Sequence, residues 1–364
     1  MKHFSLLLTI ILFSLLITAN DGVFYANGNH LIPIFETDIS VKKEILTLRK
    51  INNQYVEVTV YYEFFNPKDE KTIVVGFEAF SPEGDAERMP VNGFHPYIKD
   101  FTVLLNNTNL MYQVAFVSDS TYAKNGIVNS LREDQLKDED GSYYYVYYFN
   151  ATFKKGLNIV KHTYRYNLSG TVDMNYNIEY ILTAAKRWAN KQIDDFTLII
   201  DTGEFESFFV NRTFFNNLTE WKIDGNGNAK FISQDRNYYF DTDAVKFNIR
   251  DGNIVFKQKN FNPQGELFLY SMNYNFTEDA FNYRTDALPY SLNQQERIAD
   301  PLDGLSKKIL RNLPFARRGY VFTNQEIQRY YETMTDWYIP DNSYKADINL
   351  LTGPEKELVL KWKD

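Results

Sequence analysis

The sequence predicts a mainly β protein, with two antiparallel β-sandwich subdomains followed by a small α-helical C-terminal module. Aromatic residues make up 16% of the 364 residues, and aromatic side chains favour strands over helices. Short alternating segments are separated by turn signals roughly every dozen residues, which is typical of antiparallel sandwiches. Beyond residue 299 the apolar period changes to that of a helix. A chain of this length exceeds what one core usually organises, so we expect several domains.

The first nineteen residues have the pattern of a signal peptide. Met1-Lys2-His3 gives a basic start, Phe4 to Ile17 forms an apolar run, and Thr18-Ala19-Asn20 supplies a small-residue cleavage site. The apolar run is shorter than the roughly 18 residues that a membrane anchor needs. We therefore predict residues 1–19 as a signal peptide. The mature protein is then extracytoplasmic, either periplasmic or secreted, and has no transmembrane helix.

The composition limits the classes of partner. The chain contains no cysteine, so an exported protein of this size must be stable without disulfides. Its formal net charge is −8, and loss of Lys2 with the signal peptide changes this to −9. A net negative chain repels phosphate backbones, which argues against nucleic acid as the overall partner.

The first predicted β subdomain covers residues 20–168. Its clearest strand runs from Tyr55 to Phe65, where polar residues alternate with Val56, Val58, Val60, Tyr62 and Phe64. Turn signals at Asn52-Asn53 and Asn66-Pro67-Lys68-Asp69 connect it to its neighbours, which predicts a three-stranded meander. Further strands are predicted at 101–105, 110–116, 143–149 and 158–166.

The second predicted β subdomain covers residues 169–274. Hairpin turns are predicted at Asp224-Gly225-Asn226-Gly227 and at Asp251-Gly252, a dipeptide that favours type I′ turns. Strands are predicted around these turns at 180–183, 196–201, 205–215, 221–223, 245–249 and 266–270. Residues 275–298 lose this periodicity and are predicted to be a linker.

The helical module is predicted to cover residues 299–364. Asp300 is a suitable N-cap with Pro301 at the first helical position, and Pro314 is predicted to end the first helix. Thr323 and Glu326 form a capping-box pattern for a second helix. A third helix is predicted to begin at Thr352-Gly353-Pro354-Glu355.

Residues spread over this module carry a family resemblance. They are Leu310-Arg311-Asn312, Phe315-Ala316-Arg317-Arg318-Gly319-Tyr320, Phe322, Tyr330-Tyr331, Trp337-Tyr338, Pro340, Leu351-Thr352 and Glu355. On these residues the module resembles the YARHG domain, an extracellular module of bacterial proteins. Arg318 stands where the family name has His, so the resemblance implies no imidazole role at this position.

The β region from Asn20 to Tyr270 is similar to a second family. The residues concerned are Asn20-Asp21-Gly22, Val60-Tyr61-Tyr62-Glu63-Phe64-Phe65-Asn66, Tyr180-Ile181-Leu182-Thr183, Trp188 and Ile193-Asp194-Asp195-Phe196-Thr197-Leu198. On these it resembles domain of unknown function 4424, a secreted bacterial family. Together the two resemblances imply an exported or cell-envelope protein, and they imply no known activity.

The sequence contains no recognisable catalytic or cofactor motif. His30, His95 and His162 lie far apart and show no metal-ligand spacing. There is no Gly-x-Ser-x-Gly elbow, no Gly-rich phosphate loop and no cysteine nucleophile. The segment 224–228 begins like a calcium loop, but Ala229 replaces the required glycine, so a hairpin turn is favoured there. We therefore predict no catalytic residue, no metal and no cofactor.

One local feature opposes the net charge. Between Gly304 and Gln325 there is no acidic residue, whereas the cations in this stretch are Lys307, Lys308, Arg311, Arg317 and Arg318. Guanidinium groups bind carboxylate or phosphate in a bidentate way. This suggests a ligand-binding site composed of Arg311, Arg317, Arg318, Tyr320, Tyr330 and Trp337.

The alternative interpretation of these residues is structural, and the sequence favours it. Arg311 and Arg317 would bond the C-terminal carbonyls of a helix, while Tyr330 and Trp337 would fill a thin core. The aromatic residues of the β region can likewise be interpreted as ligand-binding or as core residues. Tyr143-Tyr144-Tyr145 and Phe208-Phe209 could form a glycan-binding platform, but alternating aromatics in strands are usually core residues.

Two functional hypotheses follow. The leading one is a non-enzymatic, exported cell-envelope binding or scaffold protein whose helical module docks on an anionic envelope component, either a polymer or an envelope protein. The other is a hydrolase that acts on envelope glycans or peptides through a carboxylate pair. Sequence does not identify such a pair, because two carboxylates need only be close in space.

Overall fold

The computed structural model describes residues 23–24, 30–34, 37–118, 123–124, 127–136, 143–237, 240–274 and 279–363. The predicted signal peptide, residues 1–19, lies outside these ranges. Strands make up 45% of the described residues and helices 17%, which confirms a mainly β fold with a small helical C-terminal module.

The strands lie between residues 23 and 272. In chain order they are β1 (Val23–Phe24), β2 (His30–Pro33), β3 (Ser40–Ile51), β4 (Tyr55–Asn66), β5 (Lys71–Phe80), β6 (Glu83–Gly84), β7 (Ile98–Leu105), β8 (Thr108–Asn109), β9 (Gln113–Val117), β10 (Ala123–Lys124), β11 (Ile127–Val128), β12 (Tyr144–Phe153), β13 (Gly156–Asn167), β14 (Met174–Tyr180), β15 (Ile193–Asp201), β16 (Glu206–Asn211), β17 (Trp221–Ile232), β18 (Ala244–Phe261) and β19 (Leu267–Met272). The α-helices are α1 (Gly304–Arg317), α2 (Gln325–Met334) and α3 (Gly353–Lys361).

Most of the strands form one large sheet in the order β14-β19-β16-β18-β15-β3-β4-β13-β7-β8, with β17 also paired to β18. The neighbouring strands run antiparallel, except that β3 and β15 are parallel. A smaller sheet has the order β2-β5-β12-β9. Most of the β region is therefore organised around two sheets.

The smaller sheet packs on the large sheet through aromatic side chains. Phe77 of β5 lies 5.0 Å from Phe101 of β7 and 5.2 Å from His162 of β13, measured between ring centroids. The apolar residues of β4 are buried on the same inward face, as the alternation predicts for Val56, Val58, Val60 and Phe64. These contacts make the N-terminal half a two-layer β-sandwich.

The large sheet crosses the predicted boundary between the two β subdomains. β3 belongs to the first predicted subdomain and β15 to the second, and they pair from Val41↔Ile193 to Arg49↔Asp201. One hydrophobic cluster contains buried residues from both, such as Leu48 and Leu198. The bounds 20–168 and 169–274 stay a prediction, and the strand pairing favours one continuous β unit.

The hairpin turns predicted at residues 224–227 and 251–252 are wrong. Gly225 lies inside β17 and Gly252 inside β18, and they are paired opposite each other. Their φ angles are 143° and 92°, and a Cβ on either would lie 2.2 Å from a carbonyl oxygen of the facing strand. The glycines therefore allow close approach of two strands beside an irregularity in the pairing, and they make no turn.

Two helix boundaries also differ from the prediction. The N-cap of α1 is Asp303, whose carboxylate accepts from the backbone N–H groups of Leu305 and Ser306. The predicted cap, Asp300, lies in extended chain instead, since its carbonyl accepts from the backbone N–H of Phe281 at 2.8 Å. Pro314 lies inside α1 and does not end it.

The starts of the other two helices lie close to their predicted positions. The N-cap of α2 is Asn324 and not the predicted Thr323, because the Asn324 side chain accepts from Glu326 and Ile327. The start of α3 at Gly353 agrees with the prediction, and Thr352 and Glu355 form a capping box there.

A buried carboxyl in β3 makes stability depend on pH. Glu44 is 5% exposed. Burial raises its pKa to about 8, and a hydrogen bond from Tyr62 opposes this only in part. Because the folded pKa lies above the unfolded value, the unfolded chain releases this proton first. The contribution of Glu44 to the free energy of unfolding is therefore complete below about pH 4.5 and is lost as the pH rises to about 8.

We predict that Glu44→Gln stabilises the protein at pH 8 by a few kcal/mol, on the order of 1.4 kcal/mol per unit of pKa shift. The amide removes the cost of a buried charge while keeping the shape of the side chain. Urea denaturation at pH 4.5, 6 and 8 measures this, with the exposed Glu70→Gln as control. A variant that is no more stable than the native chain at pH 8 would show that Glu44 is ionised in the fold.

Candidate functional site

Residues 279–298 pack between the large sheet and the helices, and we call them the connecting segment. They form most of the stretch predicted to be a linker, residues 275–298. Phe281, Leu288 and Tyr290 are buried, and they share a hydrophobic cluster with the helical residues Ile309, Leu313 and Tyr331. This packing gives the helical module a core larger than residues 299–364 supply, and the domain bounds stay a prediction.

Arg317 joins α1 to the connecting segment. It is only 4% exposed, and its guanidinium donates to Gln295 Oε1 at 2.9 Å and to the carbonyls of Pro289 and Ser291 at 3.2 and 3.3 Å. Burial lowers the pKa of Arg317 to about 10. Because both terminal nitrogens of the guanidinium donate to this segment, the side chain has a fixed orientation.

Arg318 joins α1 to α3. Its guanidinium bonds both carboxylate oxygens of Glu355, at 2.6 and 2.9 Å, and the carbonyl of Pro314 at 2.8 Å. It also lies 4.4 Å from the ring centroid of Phe205, just before β16. Burial acts to raise the pKa of Glu355, but hydrogen bonds from Arg318 and from the Thr352 backbone outweigh burial and hold the pKa below its ordinary value. Glu355 is therefore ionised, and its pair with Arg318 connects both helices to the sheet.

Two of the predicted aromatic site residues are core residues. The Tyr330 hydroxyl donates to the carbonyl of Asp286 at 2.9 Å, and Trp337 Nε1 donates to the carbonyl of Leu288 at 2.8 Å. Both side chains are buried. Both acceptors belong to the connecting segment. Tyr330 therefore joins this segment to α2, and Trp337 joins it to the chain that follows α2.

The remaining predicted site residues are half-buried. Arg311 lies on α1, and the ring of Tyr320 packs against Phe322 with centroids 4.9 Å apart. The structure thus brings only Arg317, Arg318 and Trp337 together at one cavity, while Tyr330 lines a separate surface groove with Arg284.

Arg317, Arg318 and Trp337 line a cleft of about 170 Å³, which we call the arginine cleft. The irregular pairing of β17 with β18 supplies the facing wall, which includes Asn226, Asn228 and Arg250. Arg250 Nε donates to Asp251 at 3.1 Å. Three guanidinium groups thus border one small space.

A larger cavity of about 300 Å³ lies between the large sheet and the helical module, and we call it the aromatic cavity. The sheet side contributes Ser207, Phe209, Lys246, Met272, Asn273 and Tyr274, and the module side contributes residues 287–291, Gln294 and residues 334–337. Tyr290 and Trp337 line both this cavity and the arginine cleft. The two spaces therefore lie side by side along one junction.

Hydrogen bonds and burial hold polar side chains of the aromatic cavity in place. Lys246 Nζ bonds Asp336 at 2.7 Å and lies 5.5 Å from the ring centroid of Phe209. Gln294 is only 2% exposed. A mainly apolar space with a few positioned polar groups is typical of small-ligand sites.

Side chains alternate between the two faces of a strand, so the aromatics considered as a glycan-binding platform lie in different environments. Tyr143, Tyr145 and Phe208 are buried in the main core. Phe209 points to the other face of β16 and lines the aromatic cavity. The predicted core role is thus correct for Phe208, while Phe209 lies at the junction.

Sequence reasoning missed most of this site. Tyr274, Leu288, Tyr290 and Gln294 lie next to or within the stretch predicted to be a linker. The clusters of aromatic and apolar residues in residues 281–292 were the available signal, but they follow no regular period.

Within the described ranges, no group of three or more His, Cys, Asp or Glu side chains is arranged to hold a metal ion. No helix in the described part of the chain has the length and apolar character needed to cross a membrane.

Comparison with known families and structures identifies the C-terminal module. Residues 285–364 match the YARHG domain, which confirms that resemblance. The match begins within the connecting segment, in agreement with its packing on the helices. No comparison supports the resemblance of the β region to domain of unknown function 4424. Among curated proteins, none matches the sequence.

One solved structure shares the fold over nearly the whole chain. It is a protein from Legionella pneumophila described as a candidate nutrient-binding protein, with a TM-score of 0.51 and 16% identity over 94% of this chain and 100% of its own. An M1 zinc metallopeptidase from Deinococcus radiodurans has a TM-score of 0.26 and 8% identity, over 64% of this chain and 42% of its own. Baculovirus P35 has a TM-score of 0.27 and 11% identity, over 67% and 99%. The last two TM-scores are too low to show a shared fold.

We predict that Glu355→Ala destabilises the protein by about 3–5 kcal/mol, because it leaves the largely buried Arg318 charge without its carboxylate partner and removes half of the α3 capping box. Asp300→Ala is the control, since Asp300 forms an exposed ion pair with Lys361 of the same helix at 3.1 Å, and exposed pairs contribute less than about 1 kcal/mol. Urea denaturation measures both. Equal costs would contradict a central role for the Arg318–Glu355 pair.

Proposed function

We propose that this chain is an exported, non-enzymatic binding protein of the bacterial cell envelope whose ligand binds in the aromatic cavity. The signal-peptide pattern of residues 1–19 and the YARHG match over residues 285–364 support export, since YARHG domains are associated with extracellular proteins. The Legionella protein that shares the fold is described as a candidate for nutrient binding, which agrees with a binding role.

The aromatic cavity is the observation that carries this proposal. Its volume of about 300 Å³ lies at the lower end of the range found for small-molecule sites. The walls come from two separate parts of the chain, the sheet residues 207–274 and the module residues 287–337. A ligand at this junction would contact both parts, so binding would also stabilise their packing.

The docking hypothesis for the helical module is part of this proposal. In that hypothesis an anionic envelope component, a polymer or an envelope protein, binds the helical module, and Arg317, Arg318 and Trp337 are the members of the predicted site that line the arginine cleft. The shared wall of Tyr290 and Trp337 supports it, because a ligand in the aromatic cavity lies beside the arginine cleft. Internal hydrogen bonds already hold Arg317 and Arg318 in place, so little side-chain entropy would be lost when an anionic group approaches them.

A hydrolase acting on envelope glycans or peptides is the alternative. Glycosidases need two carboxyl groups about 5–9.5 Å apart. Among the described residues, the carboxylates lining these spaces are Asp336 in the cavity and Asp341 in the cleft. Asp336 is ion-paired with Lys246, and hydrogen bonds from Ser343 hold the pKa of Asp341 below its ordinary value. Asp341 is therefore not prepared to act as a general acid, and Asp336 is engaged by Lys246, so the geometry favours binding.

A cavity-blocking variant tests the binding function. Ala287 is exposed at the cavity, so Ala287→Phe would obstruct it with little effect on folding. Ala346→Phe, also at an exposed alanine of the module, is the matched control. Thermal-shift and tryptophan-fluorescence titrations would use monosaccharides, amino acids, dipeptides and soluble peptidoglycan fragments.

We expect saturable binding of at least one ligand class to the native chain and to Ala346→Phe, and its loss in Ala287→Phe. A ligand at about 100 times its Kd stabilises the folded state by about 2.7 kcal/mol. Binding that is equal in all three chains would place the site elsewhere, and no binding in any class would contradict the proposed function. Mass spectrometry of the same samples checks the hydrolase alternative, because cleaved products would support it.

A further inference from the structure

Two amide side chains in the wall of the aromatic cavity each have one unpaired atom. Gln294 and Asn273 both line the cavity. Gln294 Nε2 and Asn273 Oδ1 are buried and have no hydrogen-bond partner among the described residues. An unpaired buried polar atom is unfavourable, so these two atoms favour a ligand that bonds them.

The other bonds of each amide fix which end is unpaired. Gln294 Oε1 accepts from the backbone N–H of Tyr274 at 3.0 Å. Since an N–H group only donates, the NH₂ group of Gln294 is the group without a hydrogen-bond partner. Asn273 Nδ2 donates to the carbonyls of Thr171 and Val172 at 3.1 and 2.6 Å, so its carbonyl end is left over. Rotating either amide by 180° would place like groups against each other.

The two unpaired atoms belong to neighbouring groups. The Gln294 side chain is bonded to the backbone of Tyr274, which follows Asn273 in the chain. Two residues that line the same cavity, on adjoining segments, thus have one unpaired hydrogen-bond donor and one unpaired acceptor. The matching ligand group needs one acceptor, one donor and an apolar end.

An acetamido group has this combination. Its carbonyl would accept from Gln294 Nε2, its N–H would donate to Asn273 Oδ1, and its methyl group would pack on apolar cavity residues such as Met334 and Leu288. The rings of Phe209, Tyr290 and Trp337 in the same cavity offer apolar faces on which the C–H groups of a sugar can pack.

We propose that the aromatic cavity recognises the acetamido group of an N-acetylated amino sugar. This inference rests on the proposed function and names the class of ligand for the same site. A peptide amide offers the same donor and acceptor but continues as chain on both sides. The acetamido group ends in a methyl, which fits a position against a cavity wall, so the sugar is the favoured occupant.

The experiment compares N-acetylglucosamine and its β1,4-linked dimer with glucosamine and glucose, using saturation-transfer NMR and titration calorimetry on the full mature chain. We expect the acetyl methyl protons to receive the strongest saturation, and the acetylated sugars to bind at least about tenfold more tightly than the other two. This comparison changes only the ligand, so it does not depend on the folding of any variant.

Gln294→Glu tests the proposed donor. The carboxylate can still accept from the Tyr274 N–H, but it has no N–H for the ligand carbonyl and repels it. We expect binding of the acetylated sugars to weaken by about tenfold or more. Gln325→Glu, an exposed position on α2, makes the same charge change and is expected to leave binding unaltered. Circular dichroism checks the fold of both variants.

Each failure has a distinct meaning. Equal affinity for acetylated and non-acetylated sugars, with binding still lost in Ala287→Phe, would overturn the acetamido proposal and leave the binding function intact. Tighter binding of a dipeptide without an acetyl group, such as alanylalanine, would overturn it in favour of a peptide ligand. No binding of any sugar or peptide would overturn both proposals.

Discussion

The parallel pairing of β3 with β15 is the constraint on which the rest of this fold depends. A parallel pair cannot be joined by a hairpin, and the chain between residues 51 and 193 forms strands of both sheets before it returns. The pair has apolar matches such as Leu46↔Leu198. It joins the half of the large sheet that carries the smaller sheet to the half that faces the helices. Without it, β16, β18 and β19 would form a separate unit whose position was set only by loops.

The helical module depends in turn on the connecting segment. A module of about 65 residues is small for an independent hydrophobic core, and residues 279–298 supply the missing apolar side chains. Arg317, Tyr330 and Trp337 bond carbonyl groups of this segment. The carbonyl of Ser291 also accepts from the backbone N–H of Gln294 at 3.3 Å, whereas those of Asp286, Leu288 and Pro289 lie outside helices and strands. The bonds therefore satisfy buried polar groups of an irregular chain, and they also position the cavity wall.

The sequence and the structure agree where local rules decide conformation. The alternation in β4 and the capping box of Thr352 and Glu355 depend on residues within one element, so they were predictable. The helical period predicted beyond residue 299 is also local, and Ile309 and Leu313, four residues apart on α1, are both buried. Local rules failed at Gly225 and Gly252, because a glycine required by a facing strand has the same local signature as a glycine required by a turn.

The sequence by itself determined the mainly β fold, the helical C-terminal module, the YARHG resemblance and the group of arginines and aromatics that marks this module. Only the tertiary structure decided which of those residues meet. It brought Arg317, Arg318 and Trp337 to one wall, and placed Phe209, Tyr290 and Gln294 beside them from segments far apart in the chain. The physical reason is that a cavity between a sheet and a helical module is defined by long-range packing, and long-range packing leaves no period or spacing in the sequence.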